Sequence, residues 1–394
     1  MSDPVPLWLD CDPGHDDAFA ILLAAYHPGF KLLGISTVHG NASLDKTTNN
    51  ALSLLAAIGK QNEITVYPGA AHALVHRKPI HAPTDIHGES GIDGTTLLPA
   101  PQTCANTSVT AVEAMASALR RTAPGTAWVV ATGALTNAAA LFLAHPELKS
   151  HIRGLSVMGG AVGGGFTAAP MGQVDGVDRV GNWTQWAEFN VLIDPEAAAF
   201  LLADPVLAPK DTVVPLDLTH LVLATREVQD LLLFGPEGGG GGGGGGGERD
   251  EKSRGKSDLR VMLVELLNFF AGTYRDVFGI VEGPPLHDPL AVAAALTGTQ
   301  WEIPFYDFDP KAPDEGPEHP ERFEVQVVTE GTIEDAFKGA QTGRTIVRKL
   351  EPGADGVRIP RGLDIARFWK VIEECCQKAD AANSKVLEKE EVLN

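Results

Sequence analysis

Short apolar runs rich in β-branched residues alternate, through the first half of the chain, with stretches patterned at helical spacing. "PLWLDC", "KLLGISTVHG", "AWVVATG", "RGLSVMGG" and "TVVPLDL" read as strands, and helices are predicted over 16–27, 45–59, 108–122, 136–145 and 195–203. Strands joined through helices pair in parallel, so the pattern predicts a single α/β domain with a mainly parallel, open twisted sheet flanked by helices. "LRVMLVELLNFFAGTYR", 259–275, is apolar on more than one face and is predicted to be a largely buried helix, and "DIARFWKVIEECCQK" supplies a closing one. The domain is expected over 1–377. It carries two insertions. The first, at about 236–257, contains the uninterrupted glycine run 238–247 and is expected to be disordered, because glycine loses the most backbone entropy on ordering. The second, 308–322, is Pro-rich and acidic and is expected to be an exposed loop; 378–394 is expected to be a charged, fraying tail.

Charge narrows the partners. The 394 residues hold 31 basic and 51 acidic side chains, a formal charge of -20, which repels nucleic-acid phosphates and anionic lipid alike. No apolar run approaches the ~18 residues of a membrane span, and "MSDPVPLWLDCD" lacks the basic and apolar regions of a signal peptide. The expectation is a cytoplasmic protein with no nucleic-acid or membrane partner. Cys11, Cys104, Cys375 and Cys376 have neither CxxC nor disulfide-framework spacing and read as reduced thiols.

The concentrated chemistry lies in "LWLDCDPGHDDAFA", where Asp10, Asp12, Asp16 and Asp17 fall within eight positions. They follow a strand, a Pro13-Gly14 turn leads out of it, and Asp16 and Asp17 open a helix, which places all four at the carboxyl end of a parallel strand, where ligands bind in open sheets. A helix terminus relieves only ~0.3–1 kcal/mol per charge. A hard cation such as Ca²⁺ or Mg²⁺, which prefers carboxylate and carbonyl oxygens, is the stronger remedy. A solvated cap is the plain alternative. An EF-hand does not fit, since the loop lacks the glycine at its sixth place and the glutamate at its twelfth. A haloacid-dehalogenase-type phosphohydrolase, with Asp10 as nucleophile and Asp12 as acid/base partner, is another reading, although the usual Gly-Thr turn is replaced by "DPGHDDA". "GGAVGGG", 159–165, does not match the GxGxxG register of a dinucleotide cradle.

Other strands end at Asn41 in "TVHGN", Thr132 in "VVATGALTN", and Met158 and Gly159 in "SVMGGAV"; "WAEFNVLIDPEAA" offers Glu188 and Asn190, and "PPLHDPLAVAAAL" places His287 and Asp288 just before a helix, so polar groups repeatedly interrupt apolar runs at one edge of the sheet. A metal could collect Asp12, Asp17, Asp288 and a backbone carbonyl such as that of Thr132.

Together these segments resemble the inosine-uridine-preferring nucleoside hydrolase family. "DCDPGHDDAFAILLA" looks like its N-terminal signature, and "VHGN", "IHGESG", "ATGALTN", "VMGGAV", "AEFNVLIDPEAA", "DLTH" and "LHDPLAVA" follow in the family's order, over roughly residues 5 to 375. The resemblance implies hydrolysis of the N-glycosidic bond of ribonucleosides to ribose and free base, in salvage, by a homodimeric or homotetrameric enzyme holding Ca²⁺. Matched motif by motif, Asp12, Asp17, Asp288 and the Thr132 carbonyl fall on the calcium ligands, and Asp12 also on the general base. Asp16, Asn41, Asn182, Glu188 and Asn190 fall on ribose and water contacts, with Met158 beneath the sugar. His287 matches the histidine near the leaving base, where it is the obvious proton donor; Tyr274 is a second leaving-group candidate, at a spacing shifted by a residue, and His87 a residue that closes over the base. His15 matches a permissive position, and Trp183 and Trp186 read as packing.

The chemistry suits these residue types. A base leaving C1′ creates an oxocarbenium-like sugar, which nearby negative charge and a held water both stabilise. Uridine is the expected substrate, with inosine or cytidine behind it. Phosphoryl hydrolysis by Asp10 and non-catalytic, calcium-dependent nucleoside or sugar binding are the competing functions.

Overall fold

The strand β1, Val5–Cys11, is the axis of the molecule, because both of its edges are paired in parallel. On one side lie β2 (Phe30–Thr37) and β3 (Val66–Pro68); on the other lie β4 (Trp128–Ala131), β5 (Gly154–Met158) and β6 (Asp211–Val214). The order is β3-β2-β1-β4-β5-β6, and every pairing in this six-stranded sheet is parallel. The computed structural model describes residues 3–75, 87–174, 176–237, 254–309, 316 and 320–393, with side chains in the last helix described to residue 385. Both expected insertions lie largely outside these residues.

Alternation along β1 explains why the sheet is covered on both faces. Leu7, Leu9 and Cys11 pack into a core shared with the helices Asp17–Tyr26, Asp258–Phe278 and Asp288–Ala294 and the last helix, Ile365–Leu393, whereas Trp8 faces a second core built with the helices Ala111–Arg120, Thr136–Ala144 and Pro195–Leu202. Phe19, Ala20, Ile21, Leu22 and Leu23 are fully buried, so the helix that follows the acidic signature has almost no solvent-facing side. That burial carries Asp16 and Asp17 inward with it.

The connections after β1 and before β4 leave in opposite directions, which opens a crevice at the carboxyl ends of these neighbouring strands. Asp10 pairs in register with Ser36 on β2 and Ala131 on β4, and the Thr132 amide donates to the Asp10 carbonyl at 2.8 Å. Register alone therefore brings the end of "LDCD" beside "ATG".

Two expectations change. "TVVPLDL" is a strand only to Val214: Pro215, which has no N–H for the ladder, accepts from the Leu218 and Thr219 amides and starts a short helix, Leu216–Thr219. The segment from Lys378 continues the closing helix rather than fraying at once. Ala379 is buried and Asn383 donates to the Ala57 carbonyl at 2.8 Å. The sequence reading also missed small antiparallel pairs, among them Phe323–Val327 with Thr345–Lys349.

Arg260, fully buried, holds the closing helix in place. Its Nε donates to Asp380 at 2.6 Å, Nη1 to the Leu232 carbonyl at 2.7 Å and Nη2 to Glu373 at 3.1 Å, while Ser257 donates to the other Asp380 oxygen at 2.5 Å. Removing one member of such a set leaves the others desolvated and unpaired. Arg260→Ala is therefore expected to lose about 3–5 kcal/mol of unfolding free energy in a denaturant titration; a loss within experimental error of zero would contradict this role.

Candidate active site

Asp12 lies just past β1, with one carboxylate oxygen held and the other free. Its Oδ2 accepts from the Asn41 amide at 2.8 Å, and Asn41 Nδ2 donates back to the Asp12 carbonyl at 3.1 Å. Its Oδ1 is buried and has no hydrogen-bond partner. Two glycines make room for this side chain: a Cβ on Gly40 would stand 1.9 Å from Oδ2, and one on Gly133 would stand 2.4 Å from Oδ1. The sequence reading gave these glycines no role. Their signal was a glycine after a strand in "VHGN" and "ATGAL", followed by a polar contact residue in the first.

Beside Asp12, the carboxylates of Asp16, Asp17 and Asp288 converge, with one oxygen from each lying within 4.8 Å of the others. Asp17 is fixed by the Gly14 amide at 2.8 Å and the Thr132 hydroxyl at 3.1 Å, and Asp16 accepts from the Asp288 amide at 3.4 Å. This triad contains Asp16, which the resemblance put among the ribose contacts, and leaves Asp12 outside it. All four groups are buried, and among the described residues no ion pair reaches them. Burial raises each carboxyl pKa, to about 7 for Asp16, and the charge of Asp17 pushes Asp12 and Asp16 further in the same direction. A converging all-oxygen donor set, with the orphaned Asp12 Oδ1 next to it, fits a hard divalent cation.

The cleft above is lined by Asp16, Asn41, His87, Thr132, Met158, Asn182, Glu188, Asn190, Tyr274, His287 and Asp288, all expected from sequence, together with Phe189 and Phe270, which were not. Asp12 and Asp17 are buried beside it without being among its lining residues. Glu188 caps the short helix Phe189–Ile193, accepting from the Asn190, Val191 and Gly160 amides, yet its burial still pushes its pKa up to about 7. Asn190 Nδ2 donates to the Thr132 carbonyl at 3.0 Å and the Met158 carbonyl at 3.2 Å, tying together the ends of β4 and β5. Asn182 Oδ1 accepts from the Phe189 amide at 2.9 Å, and its side chain also hydrogen-bonds Tyr274.

At the far side of the cleft, His287 is occupied at both ring nitrogens: Nδ1 pairs with the Thr219 hydroxyl at 2.7 Å and Nε2 with the Tyr274 hydroxyl at 2.6 Å. Burial drives its pKa well down and that of Tyr274 well up, so both are neutral near pH 7. The sequence reading made His287 a donor by itself; the geometry makes it one member of a Thr219–His287–Tyr274 chain. Thr219 and the packing of Phe278 on Tyr274, with ring centroids at 5.3 Å, complete this wall. Thr219 sits in "DLTH", a segment the sequence marked without assigning a residue role.

Asp10 is not part of the cleft lining. Its Oδ1 accepts from Ser36 at 2.5 Å and Asn137 at 2.8 Å, inside the sheet layer, and burial pushes it up to about 7. A carboxylic acid so placed is a poor nucleophile for a phosphate ester.

Comparison with known proteins agrees with this geometry. The family model for inosine-uridine preferring nucleoside hydrolase matches residues 7–370. A uridine nucleosidase of Saccharomyces cerevisiae is 40% identical over 378 residues, covering 95% of this chain and 97% of its own. A pyrimidine-specific ribonucleoside hydrolase of Citrobacter koseri is 36% identical, covering 74% of this chain and 79% of its own. Among solved structures, a purine-preferring ribonucleoside hydrolase from Gardnerella vaginalis superposes with a TM-score of 0.69 at 26% identity, covering 95% of this chain and 99% of the other. The chain belongs to the inosine-uridine preferring nucleoside hydrolase family and is a nucleoside N-ribohydrolase.

Proposed function

We propose that the protein is a calcium-dependent ribonucleoside hydrolase that favours uridine and frees ribose and base for reuse. The observation that carries the reading is the union, at one switch point of the sheet, of Asp12 with the Asp16–Asp17–Asp288 triad. A calcium ion held by Asp12, Asp17, Asp288 and the Thr132 carbonyl would keep the carboxylates ionised, orient a sugar diol and acidify a water. The favoured base rests on the 40% identity to a protein named for uridine.

The chain's own residues supply the remainder. Asp12 is locked in one rotamer by Asn41 and by the missing Cβ atoms of Gly40 and Gly133, as a base must be to receive a proton from attacking water in a single geometry. Asp16, Asn182, Glu188 and Asn190 offer acceptors and donors to ribose hydroxyls, and the Met158 side chain, buried at the end of β5, gives the sugar an apolar floor. Negative charge along this wall stabilises positive charge developing at C1′ and O4′. On the opposite wall, the Tyr274 hydroxyl, backed by His287 and Thr219, is the proton source for the departing nitrogen.

Incubation with uridine and calcium is expected to release ribose. Asp12→Asn should lower kcat by ~10²–10⁴ while leaving the circular-dichroism spectrum unchanged, and Gly40→Ala should approach the same loss by displacing Asp12. Release of phosphate from a nucleoside monophosphate, with nucleosides untouched, would instead support Asp10 as a nucleophile; binding of uridine without any product would indicate a binding protein.

Tyr274→Phe is expected to reduce turnover of uridine by ~10²-fold or more. It should have a much smaller effect on a riboside carrying p-nitrophenolate, which leaves without protonation. Equal losses on both substrates would remove Tyr274 from proton transfer.

Calcium should raise Tm more at pH 8 than at pH 6. Folding raises these carboxyl pKa values, so without a cation the cluster's protonated form favours the folded state, and that contribution is lost as pH rises through the folded values, about 7 for Asp16. A cation must displace these protons, and it meets fewer of them at pH 8. A calcium-induced shift in Tm that is larger at pH 6, or none at either pH, would contradict this site.

A further inference from the structure

His15, between the turn Pro13-Gly14 and the metal-side carboxylates, is fully buried and held by aromatic rings. It stacks on Phe269 with centroids 5.1 Å apart and an interplanar angle of 9°, and meets Phe270 edge-on at 5.6 Å. Its two ring nitrogens are both used. Nε2 lies 2.7 Å from the Asp93 carbonyl oxygen, and Nδ1 lies 2.9 Å from Nδ1 of His87.

These contacts fix where the hydrogens are. A carbonyl oxygen only accepts, so the Nε2 of His15 carries the hydrogen. In a neutral ring the Nδ1 is then bare and must accept from His87, whose Nδ1 therefore carries the hydrogen of that ring. His87 is left with a bare Nε2, and His87 lines the cleft. His15 has no carboxylate at either ring nitrogen, only a neutral carbonyl and a second imidazole, and it sits buried against Phe269 and Phe270, which favours the neutral rings; the Asp93 carboxylate itself is bound by the Glu89 amide at 2.8 Å and by the Ser90 hydroxyl.

We propose that His15 is a positioning residue which fixes His87 as a hydrogen-bond acceptor toward the base, so that the site selects nucleosides whose base offers an N–H to it. The inference rests on the hydrolase reading and adds to it a reason for base preference. In uridine the base has a single N–H, at N3, flanked by carbonyls. Cytidine has a bare N3 and must turn its exocyclic amino group to the same acceptor. His87 in this state has no proton to give the leaving base, which leaves that task to the Tyr274 wall.

The test compares uridine, 3-methyluridine and p-nitrophenyl riboside as substrates of the calcium-loaded full chain and of His15→Phe, in which phenylalanine keeps the aromatic stack but offers nothing to Asp93 or His87. The unaltered protein is expected to prefer uridine over 3-methyluridine by ~10-fold or more in kcat/KM, because a buried acceptor without its donor is penalised. In His15→Phe most of that preference should vanish, through a rise in KM for uridine, while p-nitrophenyl riboside, whose leaving group has no N–H, falls far less. No preference in the unaltered protein, or an unchanged preference in His15→Phe, overturns the proposal. Failure of the unaltered protein to cleave any of the three would strike the hydrolase reading instead. Should His15→Phe not fold, the ¹⁵N spectrum of the unaltered protein labelled at histidine decides: His87 protonated at Nδ1 and bare at Nε2 supports the proposal, and the reverse tautomer overturns it.

Discussion

Four carboxyl groups, Asp12, Asp16, Asp17 and Asp288, are buried side by side, and among the described residues no basic side chain pairs with them. Charges so desolvated either stay protonated or are compensated by a cation. The rest of the structure can be understood as what holds this arrangement together. The buried apolar helix that begins at Asp17 carries Asp16 and Asp17 inward, the parallel register of β1 with β4 sets Thr132 against them, and the Pro-containing helix Asp288–Ala294 delivers the fourth group from far along the chain. The stability of the apolar core offsets a cluster that is unfavourable by itself.

The two walls of the cleft divide the chemistry. On the proposed reading the acidic wall favours positive charge on a sugar; it is built where the ends of β1, β4 and β5 meet the starts of the helices Asp17–Tyr26, Phe189–Ile193 and Asp288–Ala294. The opposite wall is built from the helix Asp258–Phe278, the "DLTH" turn and the His87 segment, and it contains neutral hydrogen-bonding groups set among aromatic rings. A purine-preferring relative shares the fold at a TM-score of 0.69, whereas a relative named for uridine is 40% identical in sequence. The fold is thus common to relatives named for different bases.

Much of the first wall was legible in the sequence, because a parallel strand places its last residues at one edge and polar residues stand out against apolar runs. Asn41, Thr132, Glu188 and Asn190 were recognisable for that reason. The order of motifs, by resemblance, added Asn182 and gave Met158 its place beneath the sugar. The contact of His15 with His87 joins residues far apart in the chain and depends on the packing of Phe269 and Phe270, so no spacing announces it. Gly40 and Gly133 look like turn glycines, yet what they accommodate is the side chain of Asp12. The short helix after Pro215 was hidden inside an apolar run, since a strand and a buried helix look alike over so few residues.

The most direct measurement is a high-resolution crystal structure of the Asp12→Asn variant with uridine and calcium, with the ion located by its anomalous scattering. The account predicts one ion about 2.3–2.6 Å from oxygens of residue 12, Asp17, Asp288 and the Thr132 carbonyl, in contact with the ribose diol. Uridine bound elsewhere, or seated in the cleft over protonated carboxyls with no ion present, would contradict it.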